Sequence, residues 1–416
     1  MPVPRTRSRR AVLGVADQVL SSGTNYLTAF IASVVLAPDG FGYFVVAYAV
    51  VTIYSAAVRA FVGEPLLAHL PSVDDEGHRR RLVASSLGAA AVLGIVGGLL
   101  ALAVGTLVGG PLAWLTAFAL WLPGALVADA GRYACFVRSD TAKALAIDTA
   151  WAAAQAVALG GIALAGTWSV TALAAAWGVG ALGGIALLPL LGLPRPADPR
   201  PWLRESRYLA GWFTGVSIIG QSQVYVVLLL AGLLLSHTDA AGLRAVQLLV
   251  YQPPMTFMAA VLVLLTPIFA RRAVAGDRVA LDRFRTLTLG AMAVLGLVVL
   301  SAIPLRHVLL ELLFPRYTAF SPLVVPVAIQ CALAGLTVAF HAKLRGMRRA
   351  RALFGVQIVM TSGVLTGAAL GLLVGGVDGL AWGMAIAGAV SLTVMAVAAE
   401  RAPLPVGPRA QEVTVP

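Results

Sequence analysis

Asp39-Gly40-Phe41-Gly42 and Asp239-Ala240-Ala241-Gly242 stand 200 residues apart, and each opens a long apolar run. Further matches follow in the same order. Pro65 closes the first of these runs and Pro267 the second. Arg138 followed by Lys143-Ala144-Leu145 corresponds to Arg345 followed by Arg351-Ala352-Leu353, and Leu173 to Trp177-Gly178 corresponds to Leu380 to Trp382-Gly383. A common order at shifts of 200 to 208 residues marks a duplication, with halves at residues 1–200 and 201–416.

The medium in which these halves fold follows from composition. Apolar residues make up 59% of the 416 and charged residues only 12%, whereas a soluble domain carries about 25% charge. Mean hydropathy is +0.89. Runs of about 20 apolar residues are long enough to cross a hydrocarbon core as helix. Twelve such stretches are expected, near 11–36, 41–62, 83–108, 111–134, 144–166, 169–193, 208–235, 240–267, 286–304, 319–341, 352–374 and 379–399. Six fall in each half, so both halves have the same orientation. The expected fold is an all-α polytopic membrane protein, with twelve transmembrane helices as two parallel-repeat six-helix bundles around a central cleft.

The formal net charge of +12 takes its meaning from placement. With a cytosolic N-terminus, 26 of the 30 Lys and Arg fall on the cytosolic side. Arg306 and Arg316 fall outside, and Arg59 and Arg244 lie within spans. That is the positive-inside asymmetry, and it predicts that both termini are cytosolic. It also removes the reason to expect a nucleic-acid partner. Ser8-Arg9-Arg10 resembles a twin-arginine signal only in passing, because the apolar run after it is too long for one. Cys135 and Cys331 read as packing residues. The Asp74-Asp75-Glu76-Gly77-His78 cluster, next to Arg79 to Arg81, reads as a solvated loop. With no nucleophile elbow, phosphate loop or zinc signature, no enzyme activity, metal or cofactor is expected.

Polar residues inside the spans are the candidates for function. Asp17, Ser21, Asn25 and Thr28 share one face of span one, and Ser217, Gln221 and Tyr225 occupy matching positions of span seven. The repeated stripe suits a wet cleft, and it also suits hydrogen bonding between packed helices. In span eight Arg244, Gln247 and Tyr251 precede Pro253-Pro254, which removes backbone donors and is expected to kink or break the helix. Arg59 and Glu64 lie near the inner end of span two, and Asp129 and Arg132 sit three residues apart in span four. Asp148, His341 and Gln155 are weaker candidates. Asp17 or Glu64 is the expected carrier of a coupling proton or sodium ion. Gly94-x-x-x-Gly98, Gly180-x-x-x-Gly184 and Gly371-x-x-x-Gly375 are close-packing signals.

Leu36-Ala-Pro-Asp-Gly-Phe-Gly-Tyr-Phe-Val-Val-Ala47 resembles the junction of the first two helices in bacterial polysaccharide flippases. Ala241-Gly-Leu-Arg244-Ala-Val-Gln247, Leu313-Phe-Pro-Arg-Tyr317 and Lys343-Leu-Arg345-Gly346 are similar to later stations of that family. These flippases share a superfamily with multidrug and toxin extrusion transporters and lipid II flippases. The resemblance implies a bacterial cytoplasmic-membrane transporter that flips a polyprenyl-pyrophosphate-linked oligosaccharide by alternating access. Arg244 and Arg59 would then meet the pyrophosphate, and other polysaccharide-assembly membrane proteins would be partners. The alternative from the same superfamily is a drug or small-metabolite exporter driven by a proton or sodium gradient.

Overall fold

The computed structural model describes residues 20, 23–70, 73–137, 140–274, 276–347 and 350–402. Asp17 and Ser21, both singled out above, lie outside them. Among the described residues the chain is all-helical, without strands. Each of the twelve expected stretches is mainly helix where it is described, with turns at 120–121, 188–192 and 301–304. Among the described residues seven helices are long and apolar enough to cross a membrane, or up to nine if each of two bent pairs is one span. The chain is an integral membrane protein.

Two compact units are present, Met1–Ala241 and Gly242–Pro416. The first opens with α1 (Gly23–Val35). Next comes α2 (Pro38–Val58), which runs through a π-helical turn at Arg59–Gly63 into α3 (Glu64–His69). After α4 (Glu76–Val108), a 3-10 turn at Gly110–Leu115 leads to α5 (Thr116–Ala119) and α6 (Leu122–Val137), which meet at a bend of 61°. Then follow α7 (Thr141–Ala165), α8 (Val170–Leu187) and α9 (Arg200–Leu230). α9 begins the second sequence half, yet it packs along α2 inside the first compact unit.

α10 (His237–Val246) carries the chain into the second unit through a π turn at Gln247–Tyr251 and on into α11 (Gln252–Val274). The remaining helices are α12 (Arg278–Leu300), α13 (Arg306–Leu313), α14 (Val324–Gly346) and α15 (Ala350–Arg401). α15 is a hairpin in which Gly375 (φ −143°) and Gly376 (φ 57°) interrupt the helical geometry. A φ of 57° is readily open to glycine and costs other residues about 1–2 kcal/mol. This break separates the two apolar stretches expected at 352–374 and 379–399.

Local chemistry explains where helices begin. Asp75 caps α4 by accepting from the backbone N–H of Gly77 (2.9 Å) and His78 (3.1 Å). Ser169 and Asp277 cap α8 and α12 in the same way. The repeated Asp-x-x-Gly pair marks where a neighbouring element presses on a helix start. A Cβ on Gly42 would collide with the backbone carbonyl of His237, and one on Gly242 would collide with the ring of Phe320. Asp39 accepts from the Thr238 hydroxyl at 2.6 Å.

Small residues set the helix spacing, as expected where apolar burial cannot drive association in lipid. Gly94 and Gly98 lie against Pro123 and Ala119, and Gly180 and Gly184 against Trp151 and Ala128. Outward surfaces are apolar: Leu120 is 78% and Leu164 93% exposed. α7 buries only 11% of its most apolar window, which leaves most of that helix to lipid.

Candidate functional site

Among the described residues the first unit sets four charges together on α6, α7 and the π turn after α2, Arg132 buried and Arg59, Asp129 and Asp148 half-buried. Arg59 donates through Nε to Asp129 at 2.7 Å. Asp129 also accepts from Arg132 at 3.0 Å, one helical turn along α6. Arg132 reaches across to Asp148 of α7 at 2.8 Å. A charge at the centre of a membrane helix costs at least about 2.5–3.5 kcal/mol. The alternating order Arg59, Asp129, Arg132, Asp148 offsets that cost by setting each charge beside its opposite.

Backbone geometry aims Arg59 at its partner. Pro65 has no N–H to bond the carbonyl of Phe61, and the helix widens into the π turn Arg59–Gly63 just before it. Gly63 packs against the ring of Tyr133. Val58, Arg59, Gly63, Leu126, Asp129 and Tyr133 line a small recess. Arg59 therefore meets helices of its own unit. Glu64, half-buried, starts α3 directly after this turn.

Arg244 is 4% exposed in α10. Its guanidinium donates to Gln252 at 3.2 Å, with Gln247 at 3.5 Å. The chain stays helical through Pro253-Pro254, widening at Gln247–Tyr251. The two prolines leave the carbonyls of Leu249 and Val250 without α-type donors, and the wider turn accommodates this. Tyr251 lies within that turn, and its carbonyl faces the Cys331 thiol at 3.9 Å. Gln252 escaped sequence reading, although it continues the stripe of Arg244 and Leu248 at four-residue spacing.

The polar stripes of α1 and α9 make interhelical bonds. Asn25 accepts from the Tyr48 hydroxyl at 2.8 Å. Thr28 accepts from Gln155 at 2.6 Å, and Gln155 accepts from the Trp151 indole at 3.2 Å. Ser217 donates to the Ala56 carbonyl at 3.1 Å. Gln221 and Tyr225 are half-buried on α9, and His341 is half-buried in α14. Gln155 and Asp148, grouped on one face by sequence, go to different partners, Thr28 and Arg132.

In the second unit a closed ring of charges joins three helices, and sequence reading did not foresee it. Lys343 of α14 contacts Asp282 (3.5 Å) and Glu400 (3.3 Å), and Arg285 of α12 contacts the same two carboxylates. The partners lie up to 115 residues apart in sequence, so no local spacing announces them.

No protein-family model matches the sequence, and no curated protein matches it. Solved structures do match, over nearly the whole chain. An inward-facing multidrug resistance MATE family transporter of the MOP superfamily aligns with a TM-score of 0.72 at 14% identity, over 94% of this chain and 100% of that one. The lipid II flippase MurJ in an inward closed conformation aligns with a TM-score of 0.71 at 10% identity, over 95% and 87%. A MOP superfamily transporter from Pyrococcus furiosus, described as having a binding pocket of reversed polarity, aligns at 0.66 and 13% identity, over 94% of each chain. The polypeptide thus has the fold shared by MATE transporters and the MurJ flippase.

Proposed function

We propose that the protein is an alternating-access transporter of the bacterial cytoplasmic membrane, with cytosolic termini, that flips a polyprenyl-pyrophosphate-linked oligosaccharide. The observation that carries the transport reading is a whole-chain fold likeness to a lipid flippase and to multidrug transporters alike. The substrate reading is supported by Arg244, a buried cation whose fork is oriented by the amides of Gln247 and Gln252. A guanidinium so held suits a phosphate oxygen pair. Replacing Arg244 with Ala is expected to lower transport roughly tenfold or more, the scale of one hydrogen-bonded charge. Arg306→Ala is expected to leave it unchanged.

The direct test is mass spectrometry of polyprenyl-linked intermediates in depleted cells, with assignment of the leaflet that holds them. Accumulation of a completed lipid-linked glycan on the inner leaflet supports the flippase reading and identifies the cargo. An unchanged lipid pool rejects it. The second reading, a drug or metabolite exporter, is supported by the equally full-length match to multidrug transporters. Growth in cationic dyes, with and without the protein, separates the two. In the flippase reading the partners would be the membrane enzymes that build and polymerise the glycan.

A further inference from the structure

Two helix starts in the first unit are fastened together at the end that the charge pattern places in the cytosol. The Trp202 N–H donates to Ser85 Oγ at 2.9 Å, and that hydroxyl donates to the Asp198 carbonyl at 2.7 Å. The Ala197 N–H donates to the Ala84 carbonyl at 2.9 Å. Gly88 leaves room for the Ala197 carbonyl where any Cβ would collide with it. His78 of α4 meets Glu205 of α9 at 3.3 Å. The first four turns of α4 and the start of α9 therefore hold a fixed mutual position.

Four arginines stand near the starts of these two helices: Arg80 and Arg81 on α4, and Arg204 and Arg207 on α9, all exposed. Nearby acids are occupied elsewhere. Asp75 caps α4, Glu76 pairs with Arg79 at 2.8 Å, Glu205 faces His78, and Asp198 lies 4.0 Å from Arg200. Among the described residues no carboxylate oxygen lies within 4.0 Å of any of the four arginines. Even counting Asp74, the edge keeps a surplus of positive charge. The apolar part of α4 begins at Leu82 and that of α9 just after Arg207, so the guanidinium groups stand at the depth of lipid head groups. Leu203, 37% exposed, lies among them.

We propose that this edge binds the phosphodiester head group of an anionic phospholipid. Guanidinium forks match the paired oxygens of a phosphodiester, and the anionic leaflet attracts each cation near its surface. Leu203 offers the glycerol and upper acyl chain an apolar contact. The fastening of α4 to α9 holds the arginines in place before lipid arrives.

The test places the full-length protein in nanodiscs of equal phosphatidylglycerol and phosphatidylcholine, then quantifies lipid that stays bound after detergent extraction. The wild type is expected to retain an excess of phosphatidylglycerol that collapses between 0.1 and about 1 M salt as screening shortens the Debye length to about 3 Å. Replacing Arg80, Arg81, Arg204 and Arg207 together with Gln is expected to lower the retained ratio at least roughly threefold. Arg306→Gln should leave it unchanged. Should the Gln variant fail to insert, the same four positions changed to Lys preserve the orienting charge, and loss of the fork alone should still lower the ratio. A wild-type ratio near unity, or an excess indifferent to salt, overturns the proposal without reference to any variant.

Discussion

Replacing Gly371 with isoleucine is expected to abolish recovery of folded protein. In the α15 hairpin Gly371 faces Gly379, and Gly367 faces Gly383, each glycine set against the carbonyl of the other arm. A Cβ on Gly371 would collide with the backbone carbonyl of Gly379, and the reciprocal Cβ would collide with Gly371 itself. Overpacking costs about 1–3 kcal/mol when a side chain can move aside. Here the obstacle is backbone on both sides, so the arms must separate and lose their packing. Gly363→Ala is the matched control, since nothing lies within 4 Å of its added methyl; it is expected to be neutral or to stabilise by up to about 1 kcal/mol. Monodispersity in size-exclusion chromatography and the melting temperature in detergent measure both. Wild-type behaviour of Gly371→Ile would reject the hairpin packing.

The second large effect is expected at Arg132. This side chain is 7% exposed and holds two carboxylates, Asp129 at 3.0 Å and Asp148 at 2.8 Å. Arg132→Met leaves Asp148, half-buried, without its hydrogen-bonded cation and Asp129 with Arg59 as its remaining ion-pair partner. Removing one partner of a buried ionic group costs roughly 3–5 kcal/mol, a large fraction of the 5–15 kcal/mol that holds a typical domain together. The double variant Arg132→Met with Asp148→Leu removes charge in balance and should recover most of the loss. Thermal unfolding of the two variants in detergent decides it: equal destabilisation by both would mean that packing of the arginine stem, not charge, is what counts.

Most of the fold was legible because lipid forces it to be. Backbone groups in hydrocarbon must be satisfied inside helices, so long apolar runs leave few other outcomes, and among the described residues each expected stretch is mainly helix. The Asp-x-x-Gly repeats were legible too. Their glycines are places where His237 or Phe320 comes against a helix start, a requirement stated by the residue type itself.

Side-chain partners were less legible, for a physical reason. Three-residue spacing shows that Asp129 can meet Arg132, but Arg59 is 70 residues from Asp129 and only packing brings them together. Glycine spacing likewise names a helix without naming its partner. Gly371-x-x-x-Gly375 read as a packing pair, yet Gly375 has nothing within 4 Å and sits at the hairpin break; the close contact runs through Gly367, Gly371, Gly379 and Gly383. The domain edge shows the same limit. The repeat places α9 in the second half, while tertiary packing sets it along α2.

The alternating chain of Arg59, Asp129, Arg132 and Asp148 has an electrical consequence. One elementary charge carried across a potential of 100 mV exchanges about 2.3 kcal/mol with the field. Two guanidinium groups and two carboxylates that translate together exchange none, because their work terms cancel. A shift of α6, α7 and the turn at Arg59 along the membrane normal as one body is therefore neither driven nor opposed by the membrane voltage through these four residues; only a rotation that moves them to different depths would be.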